Sequence, residues 1–256
     1  MVNIHPTAIV SPKAVLGENV TVSPYAIIHE NTIIGDNSFI GPKTAIYPYT
    51  TIGNNAKIYH SASIGHTPQD LKFNNEITSC KIGNNCTIYE YATIHRGTAA
   101  SGETIIGDDA FLMAYSHIAH DCIIKDRVTI ANWTQIAGHV TIENNAVIGG
   151  MVKIRQFSRI GKFCMVQGGR SVAKDVPHYI LAGEKNLQFG GLNKVGLRRN
   201  GFSEEQLNVL RQIYTFLYGS NLNVTQAKEK ILLEFPDDPF ANEIVDFINQ
   251  SKVGII

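Results

Sequence analysis

The sequence predicts a mainly β protein: a parallel β-helix built from hexapeptide repeats, followed by a small α-helical C-terminal domain. Three observations carry that prediction. Branched aliphatics recur at every sixth residue from Ile4 to Val172, and in that series of 29 positions only Asp70, Glu76 and Ala100 break the rule. A helix of period 3.6 or a strand of period 2 does not space them so, whereas a hexapeptide repeat does. Turn pairs that open with an acid or amide recur at 18 residues, at Glu18-Asn19, Asp36-Asn37 and Asn54-Asn55, and again at Asp108-Asp109, Asp126-Arg127 and Asn144-Asn145. Beyond Val172 the six-residue beat stops, and amphipathic segments with helix caps take over.

Taken in order, the first element is a stack of 18-residue coils over 1–176. Each coil holds three short strands, each of which buries one aliphatic. Asn and Asp tolerate left-handed backbone at little cost, which suits a tight corner. Pro6, Pro24 and Pro42 mark a second corner at the same spacing. The residue two before each aliphatic is usually small, as at Ala8, Ala26, Ser38, Ala56 and Ala146, so the narrow prism can close. Successive coils should rise by roughly 4.8 Å and stack their aliphatics in columns.

The same ruler exposes two insertions. The turn pair at Asn54 next appears at Asn84-Asn85, 12 residues late, and the one after that at Asp108, six residues late. Both extras follow the same face, after Ile64 and after Ile94. The first contains His66-Thr67-Pro68-Gln69-Asp70-Leu71-Lys72-Phe73, the second Gly97-Thr98-Ala99-Ala100-Ser101-Gly102. Loops that project from one corner of a rigid solenoid tend to carry function.

Pro177, Gly183, Gly190 and Gly191 make 177–202 a connecting segment. The helical domain occupies 203–256. Ser203-Glu204-Glu205-Gln206 reads as a capping box that opens a helix running to Tyr218. A second helix is expected over Thr225–Phe235. Asp238 and Pro239 supply the cap and first residue of a third.

Bulk composition narrows the function. With 22 basic and 22 acidic residues the chain has no formal net charge, which argues against nucleic acid or membrane binding by bulk electrostatics. No apolar run reaches the length of a membrane span, and the N-terminus does not read as a signal peptide. Cys86, Cys122 and Cys164 fall at small-residue repeat positions, and no cysteine pair has metal-type spacing. Small buried thiols suit a reducing compartment, so a cytoplasmic location is expected.

Placed on the ruler, His95, His120 and His139 share the face that carries both loops, with His117 at its edge. His120, Gly138, Gln156 and Lys174 form one column, and Asp121 and His139 stand in the next. His117, His120, Asp121 and His139 should therefore lie within about two coil rises, roughly 10 Å. A neutral imidazole takes a proton from a hydroxyl near neutral pH, and a carboxylate beside it sets its tautomer. A glycine N–H there can stabilise an oxyanion. No serine or cysteine stands out as a nucleophile. A lone surface histidine is usually only solvated, but four on one corner beside two loops call for a site. Two other readings stay open at this point: a hexapeptide-repeat zinc enzyme of the trimeric carbonic anhydrase type, which needs three converging nitrogens, and a noncatalytic scaffold.

The segments Ile94-His95-Arg96-Gly97-Thr98, His117-Ile118-Ala119-His120-Asp121-Cys122 and Ala137-Gly138-His139-Val140 closely resemble the UDP-N-acetylglucosamine O-acyltransferase family. Gln69-Asp70-Leu71-Lys72, Ile148-Gly149-Gly150-Met151, Asp175-Val176-Pro177 and Arg198-Arg199 before Gly201-Phe202-Ser203 extend the match over the whole chain. The resemblance implies a homotrimer of left-handed parallel β-helices with the site between adjacent subunits. It implies the first step of lipid A synthesis: transfer of a 3-hydroxyacyl chain from acyl carrier protein to the glucosamine 3-hydroxyl of UDP-N-acetylglucosamine. No metal and no cofactor are implied.

Under the resemblance, His120 is the general base, Asp121 its orienting partner and the Gly138 N–H the oxyanion donor. Gln69, Asp70, Lys72, His117, His139 and Gln156 become substrate contacts, the first three supplied from a neighbouring subunit. Asn193 and Arg199 match the uridine-nucleotide side, and Gly168 matches the position that limits acyl chain length. The chain departs from the family at Arg155, where histidine is frequent, and at Val195 and Asn200, where Glu and Arg are frequent. Arg155 would replace a positive charge at the diphosphate. The sibling N-acyltransferase carries an extra N-terminal uridine-binding domain, for which coils that begin at Ile4 leave no room.

Overall fold

The computed structural model describes residues 1–184 and 186–256. Most strands in 1–172 are two to four residues long, and they fall into three sheets in which each strand pairs with its counterpart one coil away. All of these pairings are parallel and, apart from a shift between Ile64 and His66 at the first insertion, in register, so Ile4 lies beside Val22, Val10 beside Ile28 and Leu16 beside Ile34. The predicted parallel β-helix is what the chain forms, with the six-residue aliphatics pointing inward. Ile40, Ile58, Ile88, Leu112, Ile130, Ile148 and Val166 form one fully buried column. Each such side chain contributes roughly 1.5–3 kcal/mol of hydrophobic burial.

The 18-residue corners show why acids and amides stand there. Asn19, Asn37, Asn55, Asn85, Asp109 and Asn145 all have φ between 55° and 59°. The residue before each makes a second contribution. Asp36 Oδ1 accepts from the Glu18 N–H (2.7 Å), Asn54 Oδ1 from Asp36 (2.8 Å), Asn84 Oδ1 from Asn54 (2.9 Å) and Asp108 Oδ1 from Asn84 (2.7 Å). Each coil thus satisfies an otherwise unpaired N–H of the coil before it, which keeps the register across both insertions.

At the C-terminal end Met165–Val166 pairs with Leu181–Ala182 in parallel, and Ile180–Gly183 then pairs antiparallel with Gln188–Leu192. Four helices follow: α1 (Lys194–Arg199), α2 (Glu204–Tyr218), α3 (Val224–Glu234) and α4 (Pro239–Asn249). The capping box at Ser203 and the Asp238 cap with Pro239 at the first turn form as predicted. The hairpin and α1, in the connecting segment, did not show in the periodicity. The helices lie against the last coils: Tyr214 donates to the His178 carbonyl (2.6 Å), and Arg159 stacks over the Phe247 ring at 4.3 Å. Lys162 and Tyr179 both bind the Glu243 carboxylate. All four cysteines are free and buried, and burial pushes the Cys80, Cys122 and Cys164 thiols up to about 12. None of the helices is long and apolar enough to cross a membrane.

Candidate active site

Ile118 and Ile136 occupy neighbouring coils of one sheet, and the chain turns a corner directly after each. Asp121 and His139 sit at those corners with φ of 61°. This left-handed step lets His120 and Asp121, consecutive in the chain, face the same space. His120 Nδ1 lies 2.7 Å from Asp121 Oδ2, and His139 Nε2 lies 3.6 Å from the same oxygen.

Asp121 is buried and fully engaged. Its Oδ1 accepts from the Thr98 N–H (2.9 Å) and the Ser101 hydroxyl, and its Oδ2 from the Thr98 hydroxyl (2.7 Å). Burial alone would raise its pKa, but the hydrogen bonds from Ser101, His120 and Thr98 outweigh it and hold the carboxyl at about 2. An ionised carboxylate only accepts, so the Nδ1 of His120 carries the proton it donates, and in the neutral ring the lone pair is on Nε2. The second insertion thus clamps the partner of the candidate base. Periodicity assigns Thr98 and Ser101 no role: hydroxyls are common in loops, and the ruler has no register inside an insertion.

Gly138 lies beneath the imidazole. A Cβ there would come 2.6 Å from Cε1 and 2.9 Å from Nε2 of His120. Among the described residues its N–H donates to no acceptor. Three further histidines form a ladder along the corner. His66 lies 5.8 Å from His95 and His95 4.9 Å from His117, ring to ring, and His117 Nδ1 pairs with the Thr93 hydroxyl at 2.7 Å. Burial, then the neighbouring His117, His66 and His120, push His95 down to about 4. Burial and His120 lower His117 likewise.

The cleft beside His120 measures about 740 Å³ and is lined by Gln69, Asp70, Lys72, His120, His139 and Gln156, with Phe73 and Phe157 supplying apolar wall. The first insertion thus places Gln69, Asp70 and Lys72 in the same cleft as His120 and His139 of their own chain. Glu76 holds the two insertions together by accepting from the Ala99 and Asn74 N–H groups (3.0 and 2.7 Å). Arg96 stacks over Phe73 at 5.3 Å.

The other predicted site residues stand elsewhere. Arg155 is exposed beside Gln156 but does not line the cleft. Gly168 lies at a different corner, after Val166, where a Cβ would come 2.9 Å from the Gly150 carbonyl oxygen. Asn193 caps α1, and its amide donates to the Phe163 carbonyl (2.9 Å), while Arg199 is exposed at the other end of that helix. Exposed Val195 and Asn200, whose side chain donates to the Gly196 carbonyl (2.8 Å), flank it. A second cavity of about 270 Å³ lies between the hairpin and α2 and shares no residue with the cleft.

His120, Asp121 and His139 offer a possible metal-binding set, their ligand atoms lying within 4.8 Å of one another. The fit is poor. Ligands of one tetrahedral zinc stand about 3.3 Å apart, farther than the 2.7 Å between His120 and Asp121, and Asp121 already accepts from three other donors. A proton between the two groups fits that spacing.

Comparison with known proteins agrees with this architecture. Residues 31–66 and 103–138 match the model of bacterial transferase hexapeptide repeats, and 175–256 that of domain 2 of UDP N-acetylglucosamine O-acyltransferase. Proteins named acyl-(acyl-carrier-protein)–UDP-N-acetylglucosamine O-acyltransferase are 48% identical in Neisseria gonorrhoeae and 44% in Thermodesulfovibrio yellowstonii. Both cover all of this chain, which spans 100% and 99% of them. The solved UDP-N-acetylglucosamine acyltransferase of Bacteroides fragilis superposes with a TM-score of 0.97 at 43% identity over 99% of each chain. That of Francisella novicida superposes at 0.96 and 33% identity, over 100% of this chain and 94% of its own.

Proposed function

Since this chain belongs to the UDP-N-acetylglucosamine O-acyltransferase family, we propose that it moves a 3-hydroxyacyl chain from acyl carrier protein to the glucosamine 3-hydroxyl of UDP-N-acetylglucosamine, the first acylation of lipid A. The observation that carries the mechanism is the buried, ionised Asp121 holding His120 with Nε2 free. Nε2 takes the proton of the 3-hydroxyl as its oxygen attacks the thioester carbonyl. The C–O bond forms, and the oxyanion is received by the Gly138 N–H. Collapse breaks the C–S bond, and the imidazolium returns its proton to the departing sulfur. The reaction needs no acyl-enzyme.

Gln69, Asp70, Lys72, His139 and Gln156 would position the sugar and acyl groups, since they share the cleft with His120. His117, next along the corner to His95 and close enough to His120 to be held below the ordinary imidazole value, would join them. Asn193, Arg199 and Gly168 lie away from the cleft of their own chain. We therefore assign the nucleotide contacts and the acyl-length stop to an adjacent copy in a homotrimer, with Arg155 as a further cation toward the diphosphate. The four unpaired thiols favour a cytoplasmic enzyme. The test is acyl transfer to UDP-N-acetylglucosamine from a panel of straight-chain and 3-hydroxyacyl carrier proteins. Transfer to the 3-hydroxyl, best from a 3-hydroxyacyl donor, is expected, and no transfer from any donor overturns the reading.

A further inference from the structure

The donors that meet the Asp121 carboxylate are not alike. The Thr98 N–H belongs to the backbone and is fixed in place. The Thr98 hydroxyl accepts from the Ala100 N–H (3.2 Å) and gives its own proton to Oδ2 (2.7 Å), so both of its roles are filled. The Ser101 hydroxyl differs. It has one proton and two acceptors within reach, Asp121 Oδ1 at 2.5 Å and the Glu103 carbonyl at 3.0 Å. A hydrogen bond to an ionised oxygen is the stronger, so the proton points to Asp121. Ser101 is exposed, whereas Thr98, His120 and Asp121 are buried. It is therefore a donor that can be changed without disturbing the packed part of the site.

Each donor on a carboxylate draws off charge that an adjoining imidazolium would otherwise receive. Relieved of one donor, Asp121 would hold the protonated His120 more tightly, and the base would stay protonated up to a higher pH. The Ser101 bond thus weakens the base slightly and extends its working range toward acid. Burial raises the Asp121 carboxyl, and Ser101 leads the contacts that lower it. Other titratable groups face the pair. His139 Nε2 lies 3.6 Å from Oδ2, and His95 and His117 follow along the corner. Asp70, Lys72 and Glu76 line the cleft, and the Glu103 carboxylate is paired with Lys81. Replacing Ser101 alters none of these groups, so a displaced pH profile reports the hydroxyl itself.

We propose that Ser101 is a positioning residue that acts through Asp121: its hydroxyl sets how strongly the His120–Asp121 pair attracts a proton, and with it the lowest pH at which transfer runs. The inference rests on His120 acting as the base, as proposed above. The test compares full-length Ser101→Ala and Ser101→Thr with the wild type. In one arm kcat/KM for acyl transfer is measured between about pH 5 and 8. In the other, without substrates, diethyl pyrocarbonate carbethoxylates neutral imidazole over the same range, and modification of His120 is mapped by peptide mass spectrometry.

In Ser101→Ala both profiles should move to higher pH by about half to one unit. Transfer on the acid side should then fall about three- to tenfold, far more than at the alkaline plateau. Ser101→Thr, which keeps the hydroxyl, should follow the wild type. Unmoved profiles overturn the inference. A loss by one common factor at every pH also overturns it and makes Ser101 a support of the loop only. So does a Ser101→Thr profile that follows the alanine variant. Absence of transfer by the wild type would sink the proposed activity. The role of Ser101 would then stand if the carbethoxylation profile moves in the alanine variant, and fall if it does not.

Discussion

His120 Nδ1 lies 2.7 Å from Asp121 Oδ2 although the two residues are consecutive in the chain. Successive side chains of a strand point to opposite faces. The left-handed backbone of Asp121 breaks that alternation, and the Thr98 and Ser101 donors then fix the carboxylate. Asp121→Asn keeps the shape but offers an amide that can donate as well as accept, so the Nδ1 proton loses its assured acceptor. Turnover should drop by about 10²–10⁴-fold with KM for the nucleotide sugar changed little. Steady-state kinetics decide it, and wild-type turnover would remove Asp121 from the mechanism.

Gly138 is needed because the imidazole lies on it. The alanine methyl of Gly138→Ala would meet Cε1 of His120 at 2.6 Å and push the ring off its line to Asp121. Turnover is expected to fall by about 10²-fold, with a far smaller change in KM for either substrate. An alanine variant as active as the wild type would show that the ring position is not critical.

Gly168 has both a packing reason and a proposed selective one. A Cβ would come 2.9 Å from the Gly150 carbonyl oxygen, so that corner must shift slightly to take any side chain. Gly168→Met is expected to lower the melting temperature modestly and to move the preferred donor to shorter chains. Each methylene denied burial costs about 0.8 kcal/mol, or roughly fourfold in specificity. An unchanged ranking across an acyl-carrier series would reject the role in length selection.

Acid should weaken the junction of coil and helices. Burial, which outweighs Glu243, pushes His178 down to about 4 from an ordinary value of 6.5. Between those values the unfolded chain binds a proton that the folded chain does not, so stability declines as pH falls from 6.5 to 4. The loss from this one group is on the order of 3 kcal/mol. His178→Asn, which has an oxygen to accept from the Lys162 N–H in place of Nδ1, should be less stable at pH 7 yet lose less between pH 6.5 and 4. Melting temperatures across that range check it, and parallel curves would contradict it.

Much of this was legible from periodicity. The position of Ile118 and Ile136 in the six-residue series placed His120, Asp121 and His139 on one corner, and the 12- and six-residue slips placed both insertions beside them. The ruler measures only regular coil. Inside the insertions it has no register, so the Thr98–Ser101 clamp and the Glu76 tie stayed hidden. The Gln188–Leu192 strand and α1 were missed because they are too short to show a period. Asp36 and Asn54 were read for their turn preference alone. That their side chains cap the preceding coil needs three-dimensional register.

The central claim is that His120 removes the proton from the acceptor hydroxyl. Its most direct measurement is acyl transfer from a 3-hydroxyacyl carrier protein to UDP-N-acetylglucosamine by His120→Ala, with KM for the acceptor determined in parallel. The account predicts a fall in turnover of about 10²–10⁴-fold with acceptor KM changed by no more than a few-fold. Turnover near the wild-type level would contradict it and leave the base to be sought elsewhere.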